Sequence, residues 1–360
     1  MTVQTECKDV SKTNEIRSRP CPSCYICGTD GSPLYQHLED RYWGAPGLWS
    51  LKKCRNDSCG LVWLDPMPVQ EDIAKAYQHY YTHWDSTIGR PGHGFIRRFI
   101  RSVKASYLDY TYGYGRSGPK SWLGLLAHLT PCQRAELDFS VMYLRFLQAG
   151  RLLEVGCGSG TMLKGMANLG WRAEGIDSDP RAAENCRRRG LNVRAGFLED
   201  LQYPANYYDV VTMSHLIEHV HEPLELLIEC HRILKPSGRL SLVTPNINSA
   251  GHRVYGSSWF HLDPPRHLHI FSVASLKALL QKAGFRSMKI RTTIRDAAGA
   301  YVGSRSIGRT GRFEFGSRQP RSARLWGRAM TAVEWAWLKL DDQVGEEIAV
   351  VAQKEKKHSE

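Results

Sequence analysis

From Arg151 onward the chain alternates short apolar runs with stretches of helical period. Leu152 to Val155 is an apolar run of strand length, Thr161 to Leu169 has helical spacing, and Ala173 to Ile176 is a second strand. Pro180 to Arg189 follows as a helix, its first-turn proline supplying a preset φ where no backbone donor is needed. The pattern then predicts strand Val193 to Ala195, strand Val210 to Met213, helix Pro223 to Leu234, strand Leu240 to Thr244 and helix Ser272 to Ala283, stopped by Gly284. Two last strands are expected at Met288 to Thr293 and Ile348 to Ala352. Such alternation specifies an α/β fold, a mostly parallel sheet wrapped by helices.

Upstream the pattern differs. Ile73, Ala76 and Tyr77 are spaced for one helical face, and Leu137, Val141, Leu144 and Leu147 repeat that spacing. Between them, Phe95 to Lys104 sets apolar residues three and four apart with arginines in the gaps, a basic amphipathic helix. A second amphipathic face, Trp326, Met330, Val333, Trp337 and Leu340, falls in a basic segment between the last two strands. Residues 21–66, rich in Gly, Pro and aromatics, show neither period and read as a small loop-rich module, whereas residues 1–20 are polar and aperiodic, a mobile arm. The expected organisation is therefore an arm over 1–20, a zinc-ribbon-like module over 21–66, a helical linker layer over 67–146 and an α/β domain over 147–356, with a basic amphipathic insertion at 294–345.

Composition narrows the classes. With 360 residues, 42% of them hydrophobic, the chain can bury a core, and wholesale disorder is excluded. No apolar run approaches the roughly 18 residues of a membrane span, and Met1 to Pro20 lacks the apolar stretch of a signal peptide, so the expected compartment is the cytosol. A formal charge of +12 suits nucleic acid, an anionic membrane surface or a phosphorylated substrate without choosing among them. Five of the ten cysteines lie at Cys21, Cys24, Cys27, Cys54 and Cys59, and in a reducing compartment such clustering favours metal over disulfides.

The strand ending at Val155 runs into Gly156-Cys157-Gly158-Ser159-Gly160 and then a helix, so backbone can approach a nucleotide-like ligand closely. A dinucleotide loop would carry its third glycine one place later, where Thr161 stands. Glu154 ends the strand before the loop, and Asp177 ends the next strand, where a carboxylate can accept both hydroxyls of a ribose. Asp209-Val210-Val211 then opens another strand. In these residues the chain resembles class I methyltransferases from about Leu147 to Ile290, with a weaker trace at Ile348 to Lys354. The resemblance implies a doubly wound, seven-stranded, mostly parallel sheet and S-adenosylmethionine as cofactor. It places Gly156, Gly158 and Gly160 at the methionine moiety, Asp177 at the ribose, and Ser178 and the Leu198 backbone at the adenine, and it counts Glu154, Cys157 and Ser214 among the cofactor-binding residues. One departure is Phe197, which stands where many members carry an acid.

The transferable methyl needs no activation, so the protein must align the acceptor and exclude water, and an acidic hydroxyl also needs a base. Ser214-His215-Leu216-Ile217-Glu218-His219-Val220 follows the fourth strand and resembles the Glu-His stretch of ubiquinone-type methyltransferases. His219 is the first candidate base, because a histidine titrates near working pH; packing the loop before Pro223 is the alternative role. Contact with the cofactor's amino-acid end is the alternative role for His215 and Glu218. The run Trp259 to His269 follows the fifth strand, where this architecture carries ligands, and His267 before Phe271-Ser272 is the second candidate. A buried turn histidine is the plain alternative for it.

Cys24-x2-Cys27-Gly28 and Cys54-x4-Cys59-Gly60 can each present two thiolates to one tetrahedral zinc, with Cys21 an alternative ligand. The arrangement resembles bacterial methyltransferases that act on sugars and other small metabolites, which place such a module before the catalytic fold. The Tyr-His-Glu-His signature of the sugar C-methylating members is absent, so the expected reaction is methyl transfer to a hydroxyl of a sugar, glycolipid or similar metabolite. An RNA methyltransferase, a non-catalytic protein bound to membranes or partners through its amphipathic helices, and a nicotinamide oxidoreductase are the rival readings. Peripheral contact with the inner face of a membrane is compatible with the first reading as well.

Overall fold

The computed structural model describes residues 15–78, 95–115, 118–148 and 150–356. The expected arm therefore lies outside the described residues up to position 14, and the expected linker does so over 79–94. Residues 15–20 depart from the expected arm: Ser18–Arg19 forms β1 and pairs antiparallel with β5, Met67–Pro68, while Arg17 binds Asp72 through its backbone amide and guanidinium.

The cysteine-bearing region forms β2 (Gly31–Leu38), β3 (Trp49–Cys54) and β4 (Val62–Leu64), whose near-complete burial follows from the apolar run Leu61 to Leu64. It does not close on itself. Its four-stranded antiparallel sheet runs β11-β4-β3-β2, and β11 (His269–Ile270) arrives from far downstream to pair with Trp63 and Val62. One apolar core continues from Leu51 and Trp63 into Val211, Leu242 and Val350 of the central sheet.

Helix α1 spans Phe95–Tyr112, a 3-10 stretch covers Gly118–Leu129, and α2 spans Pro131–Ser140. The side chains of Phe95 to Arg98 fall outside the described residues, so that half of the amphipathic pattern is not addressed. The period Leu137 to Leu147 is broken, since Met142 and Tyr143 take positive φ (49° and 55°). Val141 and Leu144 are buried in the irregular chain that results, and Leu147 is exposed.

The central sheet comprises β6 (Arg151–Val155), β7 (Arg172–Asp177), β8 (Val193–Ala195), β9 (Tyr208–Ser214), β10 (Leu234–Pro245), β12 (Ser287–Thr293) and β13 (Glu347–Gln353) in the order β12-β13-β10-β9-β6-β7-β8. The strands run parallel except β13, which is antiparallel to both neighbours. β10 begins earlier than its pattern predicts, with a register shift between Leu234 and Arg239 where Pro236, Ser237 and Gly238 interrupt regular pairing. Helices α3 (Thr161–Asn168), α4 (Pro180–Arg188), α5 (Pro223–Ile233), α6 (Ala250–Tyr255) and α7 (Val273–Lys282) connect them. Ser272 caps α7 in a reciprocal box with Ser275.

The 294–345 insertion folds as α8 (Ala297–Thr310) and α9 (Arg321–Trp337), packed on each other. The amphipathic face expected of α9 is not the buried one. Gly327, Thr331 and Glu334 face inward, Met330 and Trp337 are half-buried, and Trp326, Val333 and Leu340 stay exposed. The reason is steric: a Cβ on Gly327 would come within 2.6 Å of the Ala298 carbonyl oxygen, so only the smallest residue permits this approach. Strand direction and register bring Val155, Ile176, Ser214, Pro245, Thr293 and Glu347 to one edge of the sheet. The candidate site is built there.

Candidate active site and cysteine centre

At the end of β6 the chain turns through Gly156, Gly158 and Gly160, all at positive φ (72°, 49° and 69°), conformations that favour glycine. A Cβ on Gly156 would meet Leu216 at 2.8 Å, and one on Gly160 would meet Leu191 at 2.6 Å. Asp177 orders the turn: its carboxylate accepts the Gly158 amide at 2.7 Å and the Asp179 amide at 2.9 Å, which leaves lone pairs for two ribose hydroxyls. Burial pushes Asp177 above the ordinary aspartate range.

Glu154 is buried behind this turn, its Oε2 without a partner among the described residues, and burial, then the negative charge of Asp177, raises it to about 8. Burial keeps the group protonated until a cation stabilises its charged form, and the ammonium of S-adenosylmethionine beside the orphaned oxygen would do so. The residues present thus fit the cofactor. Cys157 is buried, its amide donating to Ile176, and Leu198 is buried, whereas Ser178 and Phe197 are exposed. Ser214 ends β9 half-buried, paired with Val243.

Beyond Ser214, His215 turns through positive φ (50°) into a 3-10 turn at Ile217–His219. This turn and the loop before β11 bring the two candidate histidines together, with the His219 and His267 ring centroids 4.6 Å apart. His219 Nδ1 lies 3.0 Å from the Arg266 carbonyl and 2.9 Å from the Tyr77 hydroxyl, and His267 Nδ1 lies 2.7 Å from the His261 carbonyl. Donation to those carbonyls leaves each Nε2 with its lone pair. Burial, and for His219 the neighbouring His267, lowers both to about 4, so both are neutral at pH 7. Glu218 is fully buried, accepts the Thr244 hydroxyl at 2.9 Å and sits with Oε1 3.4 Å from His215 Nδ1. One ligand atom each from Glu218, His219 and His267 lies within 4.8 Å of the others, a donor set suited to a divalent cation as well as to moving a proton.

His215 is engaged by acids on both sides. Its Nε2 is 2.8 Å from Glu347, which also takes a bidentate contact from Arg295 at 2.8 Å through each nitrogen. Burial opposes a charge on His215, but Glu218 and Glu347 overcome it and raise it to about 10. Glu346 beside it accepts the Trp259 indole N–H and lies 3.8 Å from His261 Nε2. Arg266 is fully buried between Asp40 and Asp263, tying the cysteine-bearing region to the histidine loop. Sequence reasoning missed Tyr77, Arg295, Glu346, Glu347 and the Asp40 pairing. The one local signal was two adjacent acids before the apolar run Ile348 to Ala352.

Cys24, Cys27, Cys54 and Cys59 converge with all four sulfurs within 4.8 Å, and Cys21 is not among them. The Cys24–Cys59 and Cys27–Cys54 sulfurs are 3.7 and 3.4 Å apart. Tetrahedral zinc with Zn–S bonds of about 2.3 Å requires sulfurs about 3.8 Å apart, so the donor set fits that ion. Gly28 and Gly60, each after the second cysteine of its turn, take positive φ.

A family model described as a methyltransferase domain matches residues 132–289. The chain is 33% identical over 171 residues to a ubiquinone biosynthesis O-methyltransferase of Cereibacter sphaeroides, covering 44% of this chain and 69% of that one. It is 33% identical over 150 residues to a protein of the same name from Xanthomonas oryzae pv. oryzae, covering 38% and 63%. Among solved structures, a SAM-dependent methyltransferase from Archaeoglobus fulgidus is 23% identical over 61% of this chain and 92% of its own, with a TM-score of 0.42. The glycine turn, its two acids, the strand order and the sequence relatives converge, and the chain belongs to the class I S-adenosylmethionine-dependent methyltransferases.

Proposed function

We propose that the protein methylates a hydroxyl oxygen of a small-molecule acceptor, a sugar, glycolipid or similar metabolite. The observation that carries this reading is the neutral His219–His267 pair on the same sheet edge as the glycine turn. The names of the relatives, O-methyltransferases, support oxygen as the receiving atom. Bound S-adenosylmethionine supplies an electrophilic methyl group. His219 Nε2 takes the acceptor's hydroxyl proton, the Arg266 carbonyl and the Tyr77 hydroxyl hold the His219 imidazole in place, and buried Trp259 helps exclude water. Asp177 and Glu154 hold the ribose and the ammonium. Zinc at Cys24, Cys27, Cys54 and Cys59 belongs to the same reading as a structural ion. So does contact with a membrane surface through basic amphipathic helices.

The test is transfer of labelled methyl into a panel of hydroxylated metabolites, comparing wild type with His219→Ala. Loss of transfer with unchanged cofactor affinity supports the reading, and unaltered turnover removes His219 as the base. Chelation followed by Mg²⁺ add-back separates the two roles of the trio. Transfer indifferent to both supports proton transfer, and transfer that follows the cation reassigns Glu218, His219 and His267 as its ligands.

A further inference from the structure

Helix α9 packs inward through small and polar residues flanked by two apolar ones. Gly327 lies against the Ala298 carbonyl, Thr331 bonds back to Gly327, and Glu334 accepts the Glu346 amide at 2.9 Å, while Met330 and Leu338 pack against the buried cluster that holds Ala297 and Tyr301. At 3.6 residues per turn, Leu325, Ala329, Ala332, Val333 and Ala336 share the opposite face, and all five are exposed. Leu340 extends the stripe in the turn that follows and is 89% exposed. One flank carries Arg321, Arg324, Arg328 and Lys339, all exposed. Trp326 and Trp335 border the stripe, each with a cation over its ring: Arg305 at 4.7 Å and Lys339 at 5.4 Å. The helix's single acid, Glu334, is buried.

We propose that α9 is an interfacial helix that docks the protein on an anionic lipid surface, its outward apolar stripe against the acyl region and its basic flank among the headgroups. Charge chooses this occupant over a second copy of the chain. Antiparallel pairing of two α9 stripes would set arginine flank against arginine flank with no exposed acid on the helix between them, whereas anionic headgroups complement that flank. Tryptophan at the border between an apolar stripe and a charged flank is where its amphipathic ring suits a membrane interface. The proposal rests on the reading of membrane contact above and names the helix and the face. It does not depend on the identity of the acceptor.

Sedimentation of the full-length protein with phosphatidylglycerol–phosphatidylcholine vesicles, without acceptor, tests it. The wild type is expected to bind mixed vesicles, to bind pure phosphatidylcholine weakly and to release at high salt. A Leu325→Glu, Val333→Glu double variant and an Arg321→Glu, Arg324→Glu double variant should each lose about tenfold or more in vesicle affinity. Cofactor titration and melting temperature should be unchanged, because these side chains point away from the core. No binding by the wild type, or undiminished binding by the Leu325/Val333 variant, overturns the proposal. So does a lipid-free dimer that the same variant dissociates, which would assign the stripe to a second copy. Loss of methyl transfer in His219→Ala leaves vesicle binding untouched, so the two readings fail separately.

Discussion

The candidate cofactor side and the proposed acceptor side of the sheet edge are built by different means. The cofactor side is local: Glu154, the three glycines and Asp177 lie within 24 consecutive residues, and two backbone amides on Asp177 set the geometry. The acceptor side is assembled from distant segments. His219, His267, Tyr77, Arg295 and Glu347 come from five parts of the chain, held by side-chain contacts across as many as 142 positions. Binding a common cofactor needs a short fixed motif, whereas recognising a particular acceptor lets any nearby loop contribute. The difference predicts that damage on the cofactor side is a loss of binding, and damage on the acceptor side a loss of rate or stability.

The largest effect is expected at Asp177. Its carboxylate offers two charge-assisted hydrogen bonds at about 1.5–3 kcal/mol each, so Asp177→Ala should weaken cofactor binding about a hundredfold or more by calorimetry. Undiminished affinity would dissolve the local site. On the acceptor side, His219→Ala should lower kcat by about 10² to 10⁴ with cofactor affinity intact, read under cofactor saturation. Arg266→Met should leave Asp40 and Asp263 as buried carboxylates without their cation and cost about 3–5 kcal/mol, seen as a lowered denaturation midpoint. An unchanged midpoint would show that the cysteine-bearing region and the histidine loop are held by packing instead.

For the cysteine centre, Cys54→Ser should lower bound zinc, counted by elemental analysis, while Cys21→Ser keeps it; equal zinc in both variants would refute the four-ligand assignment. The smallest effect is the pH dependence. Burial holds His219, His261, His267 and His269 at about 4, 3, 4 and 4, below the ordinary 6.5. Unfolding frees them to take up protons, so their contribution is present above pH 6.5 and is lost as pH falls toward 4. His215, raised to about 10, runs the other way: its contribution is complete below pH 6.5 and is lost as pH rises through 10. Melting temperature should therefore fall on acidification, and His269→Phe should flatten part of that fall. An identical slope in the variant would remove His269 from the account.

Strand order shows how much was legible beforehand. The buried central strands β6, β9, β10 and β13 were visible as apolar runs, because a strand buried on both faces must be apolar along its length, whereas β8 and β12 alternate polar with apolar residues. The extension of β10 through Pro236 and Gly238 was not, since turn residues conceal pairing that begins before them. β1 and β11, two residues each, carry too few positions for any period, and pairing with distant strands alone makes them strands. The apolar face expected of α9 and its exposed stripe share only Val333 and the following Leu340, because periodicity reports that a helix has an apolar face, not which way it turns.

By itself, then, the sequence determined the α/β alternation, the glycine turn with Glu154 and Asp177, the paired cysteine turns and the nearness of His219 to the fourth strand. All of these depend on neighbours a few residues apart, where covalent geometry limits the outcomes. Tertiary structure alone decided that four of five cysteines meet, that His267 reaches His219, that His215 turns to Glu347 and Arg295, and that α9 presents its apolar stripe to solvent. Those outcomes were set by packing between segments far apart in the chain, which local spacing does not encode.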